Sequence, residues 1–114
     1  MQPWLTTPEF EGAFQDGLKN GAGRFVYPNG DIYKGMFSRD QRNGAGIMVF
    51  KDGRVYKGQF MNDQIKGKGI FKISPAPNSI ILEALFDNGI VQPGPAKIQY
   101  PSGELYDGRV NMQG

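Results

Sequence analysis

Tyr33-Lys-Gly35-Met-Phe37-Ser-Arg-Asp40-Gln-Arg-Asn43-Gly44-Ala-Gly46-Ile-Met48-Val-Phe50-Lys-Asp52-Gly53 is one unit of a repeat whose step is 23 residues. Its opening motif stands one step upstream as Phe10-Glu-Gly12-Ala-Phe14 and one step downstream as Tyr56-Lys-Gly58-Gln-Phe60. The second half keeps the same interval, with Asn20-Gly21-Ala-Gly23 before Asn43-Gly44-Ala-Gly46 and Lys66-Gly67-Lys-Gly69 after it. A degenerate fourth copy begins at Leu82-Glu-Ala84-Leu-Phe86 and continues as Gly94-Pro-Ala96, with alanine at two glycine positions. A fifth copy begins at Tyr106-Asp-Gly108-Arg-Val110. Self-similarity at a fixed interval is the signature of a repeat architecture and takes precedence over any local reading. The connection Ser74-Pro-Ala-Pro-Asn-Ser79 stretches the third unit and predicts a break near the middle of the array.

Each unit alternates with the period of a strand, so Tyr33, Gly35 and Phe37 point one way and Ile32, Lys34 and Met36 the other. Paired glycines interrupt every candidate helical stripe, which removes helix from consideration. Two hairpin geometries suit the inter-repeat sequences Pro28-Asn29-Gly30, Lys51-Asp52-Gly53 and Pro101-Ser102-Gly103. A two-residue type I′ loop would use the Asn-Gly or Asp-Gly pair. Proline at the first of three positions favours instead a type I turn closed by a left-handed glycine, a three-residue loop. That choice sets Phe25 opposite Tyr33, Gly23 opposite Gly35, Gly21 opposite Phe37, Met48 opposite Tyr56 and Gly46 opposite Gly58. The expected fold is all-β, a single-layer antiparallel array of hairpin repeats with about nine strands. Residues 1–9 are expected to form an N-terminal cap, with Trp4 and Leu5 folded over the first hairpin, and residues 10–114 the array.

With this register one face carries a row of glycine pairs flanked by large side chains. Two uses of that trough follow. Each ring can pack over the glycine beside it while the sheet curls until the face closes on itself. Alternatively, the trough stays open and takes a partner segment, and then Phe25, Tyr33, Gly35, Phe37, Met48, Phe50, Tyr56, Gly58 and Phe60 are the groove residues. A single-layer sheet has no second element to bury its apolar face, and that invites a partner, a second copy or strong twist.

Composition narrows the chemistry. The 114 residues include 17 glycines and 14 aromatics, and hydrophobic residues make up 39%. The large rings must therefore offset the ordering entropy of the glycines. There is no Cys and no His, which excludes thiolate nucleophiles, disulfides, the usual zinc sites and imidazole triads. No phosphate-cradling glycine motif precedes a helix and no calcium-loop sequence occurs. The acidic residues fall on turns, with Asp16, Asp40 and Asp63 at matching hairpin tips and Asp31 and Asp52 in the inter-repeat turns. No enzyme activity, metal or cofactor is expected, and the N-terminal residues read as neither signal peptide nor membrane span.

Charge is unevenly spread. Residues 34 to 72 hold nine basic residues against three acidic ones, whereas each flank holds two basic and four acidic. Lys34, Lys57, Lys68 and Lys72 fall on the face opposite the trough, among Ile32, Met36, Ile47, Val49 and Ile70, while Arg54 sits on the trough rim. A mixed basic and apolar face suits an acidic amphipathic segment or an anionic lipid surface. The modest excess and the acidic flanks argue against nucleic acid. The last half-unit, Tyr106 to Gly114, presents a strand edge on which a homo-oligomer could form.

The order Tyr-x-Gly-x-Phe, polar loop, Asn-Gly-x-Gly, alternating segment and turn glycine resembles the MORN (membrane occupation and recognition nexus) repeat family over residues 10 to 110. The resemblance implies a non-enzymatic interaction scaffold in the cytoplasm, associated with cytoskeletal or ciliary assemblies, or peripheral attachment to anionic, phosphoinositide-bearing membrane.

Overall fold

The structure, a computed structural model, describes residues 4–73 and 79–110, and every regular element within them is a strand. In chain order these are β1 (Trp4–Thr6), β2 (Phe10–Gln15), β3 (Leu18–Val26), β4 (Ile32–Ser38), β5 (Gln41–Val49), β6 (Val55–Met61), β7 (Gln64–Lys72), β8 (Ile81–Asp87), β9 (Ile90–Val91), β10 (Gly94–Gln99) and β11 (Leu105–Val110). They form one antiparallel meander in the order β1-β2-β3-β4-β5-β6-β7-β8-β10-β11, with β9 beside β8. Nine of these are the strands expected from the repeat. The other two are the short β9 and β1, whose residues 4 to 6 pair with β2 at Ala13 to Glu11. The N-terminal segment thus extends the sheet by one strand and covers the edge of β2. Trp4 stays 56% exposed rather than folding over the core.

The three-residue inter-repeat loop is present. Gly53 N–H donates to the Phe50 carbonyl at 3.0 Å and Phe50 N–H to the Arg54 carbonyl at 2.9 Å. Gly53 closes the turn at φ 100°, where a side chain would be strained. The resulting register pairs Phe25 with Tyr33, Gly23 with Gly35, Met48 with Tyr56 and Gly46 with Gly58. Within each repeat the tip is a two-residue turn with both residues left-handed, Arg39 and Asp40 at φ 49° and 71° in the second repeat, the type I′ geometry. Asp40 and Asp63 hold the second tip position, whereas Asp16 holds the first, so the three do not match in place. Residues 74–78 of the stretched connection lie outside the described residues. The sheet carries on across that point, since β7 and β8 pair continuously from Lys66↔Asp87 to Lys72↔Ile81. The expected break in the array is therefore not a break in the sheet.

What holds the layer together is a contact between a ring and two backbones. The Tyr33 ring lies along its own strand over Gly35 and Gly46, so close that the first atoms a methyl at Gly46 would meet are those of the Tyr33 ring and its hydroxyl. Its hydroxyl donates to the Met36 carbonyl at 2.8 Å, and Tyr56 repeats the arrangement on the Gln59 carbonyl at 3.0 Å. Both tyrosines are 0% exposed. Each then meets the phenylalanines of its own and the next repeat edge-on: Tyr33 to Phe37 at 5.1 Å and to Phe60 at 4.9 Å, Tyr56 to Phe60 at 5.3 Å and to Phe86 at 5.7 Å. Such pairs contribute about 0.5–1.5 kcal/mol each beyond the area they bury. A continuous ring ladder therefore replaces the second layer that a single sheet lacks.

Two outcomes test this core. Gly35→Ala would bring a methyl to 2.5 Å from the Gly46 Cα and 2.7 Å from the Ala45 carbonyl, both backbone atoms, and should cost about 2–4 kcal/mol in urea denaturation. The nearest atoms a methyl at Gly46 meets belong to the Tyr33 side chain, so the cost of Gly46→Ala should shrink in a Tyr33→Leu background, the combination the fourth repeat carries as Leu82 and Ala96.

Burial pushes the phenols of Tyr33 and Tyr56 up to about 12, against the opposing pull of the Arg42 charge at Tyr33. Above pH 10 the unfolded chain releases those protons first, so stability should fall from pH 10 and level off beyond about 12. Urea melts of the wild type and of Tyr33→Phe/Tyr56→Phe should show a flatter alkaline slope for the double variant. At neutral pH that variant should be about 1 kcal/mol weaker per lost hydrogen bond.

Candidate functional site

The two faces of the sheet have opposite characters. Tyr33, Phe37, Met48, Tyr56 and Phe60 are all buried on the aromatic face, and Phe25 and Phe50 are half-buried against that core. The trough read from the sequence is consequently filled by the chain's own rings. Its candidates form the core, because each tyrosine is long enough to roof two facing glycines and no open floor is left.

Basic side chains seal the hairpin-tip side of this core. The Lys19 ammonium lies 4.9 Å from the Phe25 ring centre and pairs with Asp40 at 3.2 Å. One repeat on, the Arg42 guanidinium lies 5.4 Å from Phe60 and 5.5 Å from Tyr27 and pairs with Asp63 at 2.8 Å. The same aspartates accept backbone N–H groups of the preceding repeat, Asp40 from Lys19 at 2.8 Å and Asp63 from Arg42 at 3.1 Å. That bond is the main reason the Asp40 carboxyl is held below the usual range. Asp52 is lowered likewise, first by the Arg54 N–H. Burial raises the Tyr27 phenol while Arg42 opposes it. Asp40 and Asp63 thus act as staples between successive repeats, whereas Asp52 closes its own turn. Arg54, expected on the rim, lies over Phe50 at 4.4 Å and is ion-paired with Asp52 at 2.9 Å.

An accessible groove of about 1020 Å³ lies on the other face. Its floor is the bare backbone of Gly23, Gly35, Gly46, Gly58 and Gly69, and its ends are marked by Trp4 and by Glu83. Two rows of side chains border it. Pairing carries one row across the strands from Glu11 to Arg24, Lys34, Ile47, Lys57, Ile70 and Glu83. The other lip is formed by Ala22, Met36, Ala45, Gln59 and Lys68. Beyond the first row, and on the same face, runs an aliphatic row of Val26, Ile32, Val49 and Val55, continued by Lys72 and Ile81.

Lys34, Lys57 and Lys68 thus converge on one groove, while Lys72 stands in the adjacent row. Gly35 and Gly58 contribute to both faces, packed by rings on one side and bare on the other. Sequence reasoning missed the participation of Arg24, Ala22, Ala45, Gln59, Glu11 and Glu83. Their signal was available, because the register that pairs Gly23 with Gly35 also pairs Arg24 with Lys34 and Ala22 with Met36. Among the described residues no cluster of acidic side chains could hold a metal ion.

A search of curated proteins finds no match. Three consecutive stretches, residues 10–32, 33–53 and 56–74, match the model of the MORN repeat. MORN repeats are in general protein- or membrane-interaction modules and not a known enzyme family. The matched stretches are those whose tyrosine or phenylalanine lies over a full glycine pair. The later copy with Ala84 and Ala96 continues the same sheet outside them. With more than half of its length matched in three successive units, the chain belongs to the MORN repeat family.

Proposed function

We propose that the chain is a non-enzymatic interaction scaffold that docks an acidic or amphipathic protein segment in the glycine-floored groove of its lysine face. The observation that carries this reading is the groove itself, about 1020 Å³ with Arg24, Lys34, Lys57 and Lys68 around an apolar floor. The aromatic face needs no partner, since its rings satisfy one another. The lysine face presents Met36, Ile47, Val49 and Ile70 with exposures of 36–42% beside those cations. Charge there steers and orients a partner, and the apolar strip supplies area to bury.

The same cations favour a second reading, attachment to anionic lipid. Each basic residue is worth about 1 kcal/mol near a charged membrane, and strong anchors cluster four to eight of them. The groove gathers four, flanked at its two ends by Glu11 and Glu83, which favours the protein segment. A cytoskeletal or ciliary setting follows from the family resemblance, and the location of a tagged full chain in cells tests it.

Filling the groove without touching the core separates the readings. Peptides selected by display against the wild-type chain should lose at least about ten-fold in affinity, or ~1.4 kcal/mol, for Ala45→Trp and for Lys34→Glu/Lys57→Glu. Both changes lie on the open face, so melting temperatures should hold. Selected peptides that ignore both variants would exclude this groove. Salt-sensitive co-sedimentation with phosphatidylserine vesicles, lost in the Lys34→Glu/Lys57→Glu variant and unmatched by any peptide, would establish the lipid reading instead.

A further inference from the structure

We infer that the occupant of this groove is an amphipathic α-helix of about 19 residues, acidic at its centre and basic at both ends, lying across strands β2 to β8; the inference rests on the groove reading above. Spacing decides the conformation. Lys34 and Lys57 stand on strands two apart in one registered row, a separation of about 9.6 Å at the usual strand spacing. Seven residues of helix advance about 10.5 Å and return a side chain to the same face. An extended segment covers the distance in about three residues and so arrives with its side chain on the opposite side. Successive acids seven apart on a helix can therefore meet Lys34 and Lys57, which those of an extended chain cannot.

Width agrees with length. The basic row and the opposite lip of Ala22, Met36, Ala45 and Gln59 are separated by two residues along the strands, about 6.7 Å. A helix about 10–12 Å across covers the glycine floor between them, setting an apolar stripe on Ala22, Met36 and Ala45 and an acidic flank on the lysines. Within the groove the row runs from Glu11 to Glu83, six strand spacings apart, about 29 Å, the length of about 19 helical residues, and past the groove it continues to Lys97 opposite Glu83. Acidic residues at the ends of the occupant would face these carboxylates, so basic residues are specified there. Because sheets twist, a straight rod touches the row most closely over its middle strands, where Lys34, Ile47 and Lys57 stand.

The test uses the full chain and synthetic 19-residue peptides, followed by fluorescence anisotropy near 0.1 M salt. The first peptide carries a leucine stripe, glutamates seven apart in its central part and lysines at both ends. A second has the same composition with the glutamates dispersed around the helix, a third has two central prolines, and a fourth lacks the terminal lysines. The first should bind at least about ten-fold more tightly than the second and third and lose about ten-fold with Lys57→Glu. Glu83→Lys should weaken the first peptide several-fold and leave the fourth unchanged. Equal binding of the first three, lost together with Lys57→Glu, would overturn the helix and retain the groove. Binding indifferent to Lys34→Glu and Lys57→Glu would overturn the groove reading with it. No binding by any peptide, with phosphatidylserine vesicles bound through Lys57, would replace the helix with a lipid surface. Circular dichroism melts of every variant separate lost binding from lost fold.

Discussion

One contact organises this molecule: a tyrosine or phenylalanine ring lying over a pair of glycines on adjacent strands. Phe10 over Gly12 and Gly23, Tyr33 over Gly35 and Gly46, and Tyr56 over Gly58 and Gly69 are successive instances. The contact needs two backbones without Cβ atoms, which is why glycines recur in registered pairs despite their entropic cost of about 0.5–1 kcal/mol each. It also needs the ring to turn along its own strand, a pose the tyrosine hydroxyl fixes by donating three residues ahead. With the rings flat, neighbouring phenylalanines reach them edge-on, and a one-layer sheet acquires a dry interior. Tyr106 keeps the hydroxyl bond to Arg109 at 3.3 Å but is 43% exposed on the outermost described strand. The hydrogen bond alone does not bury the ring; the rings of an adjoining repeat do.

The same contact divides the labour between the two faces. Every large ring of the core is drawn to one side, and the glycines beneath leave the other side with a bare backbone floor. A groove on the lysine face is thus a by-product of the packing on the aromatic face. No further sequence is needed to build it, and its borders are free to carry charge.

Most of the fold was legible because it is written three times over. The three-residue turn, the register and the glycine pairing all follow from Pro-Asn-Gly and Lys-Asp-Gly set between alternating segments, and the structure has each of those pairings. What could not be read is the direction in which the rings lean. Alternation says that Tyr33 and Gly35 share a face, but whether the ring stands up as a wall or lies down as a roof depends on contacts across strands. The sequence pattern therefore admits both an open aromatic trough and a closed one, and the structure closes it. Arg42 was hidden for a related reason. It shares the parity of Gly44 and Gly46, yet an irregularity intervenes between them, with Gly44 at φ 101°. The two extra residues there preserve parity, so the guanidinium still reaches the rings.

The array also separates what must repeat from what is free to differ. Positions that roof or floor the core keep their chemistry from unit to unit, and where they change they change together: Leu82 stands in place of tyrosine where Ala84 stands in place of glycine. A methyl beneath a flat ring is excluded, whereas a methyl beside leucine is not. Across the groove face the equivalent positions vary instead. Glu11, Lys34, Lys57, Glu83 and Asp107 occupy one place in successive repeats, and Ala13, Met36, Gln59, Leu85 and Arg109 another. None of these side chains is needed to close the core, so their order along the array is unconstrained by folding. The differences between rungs place the cations in the middle of the groove and carboxylates at its ends, and under the proposed function it is this order that would select a partner.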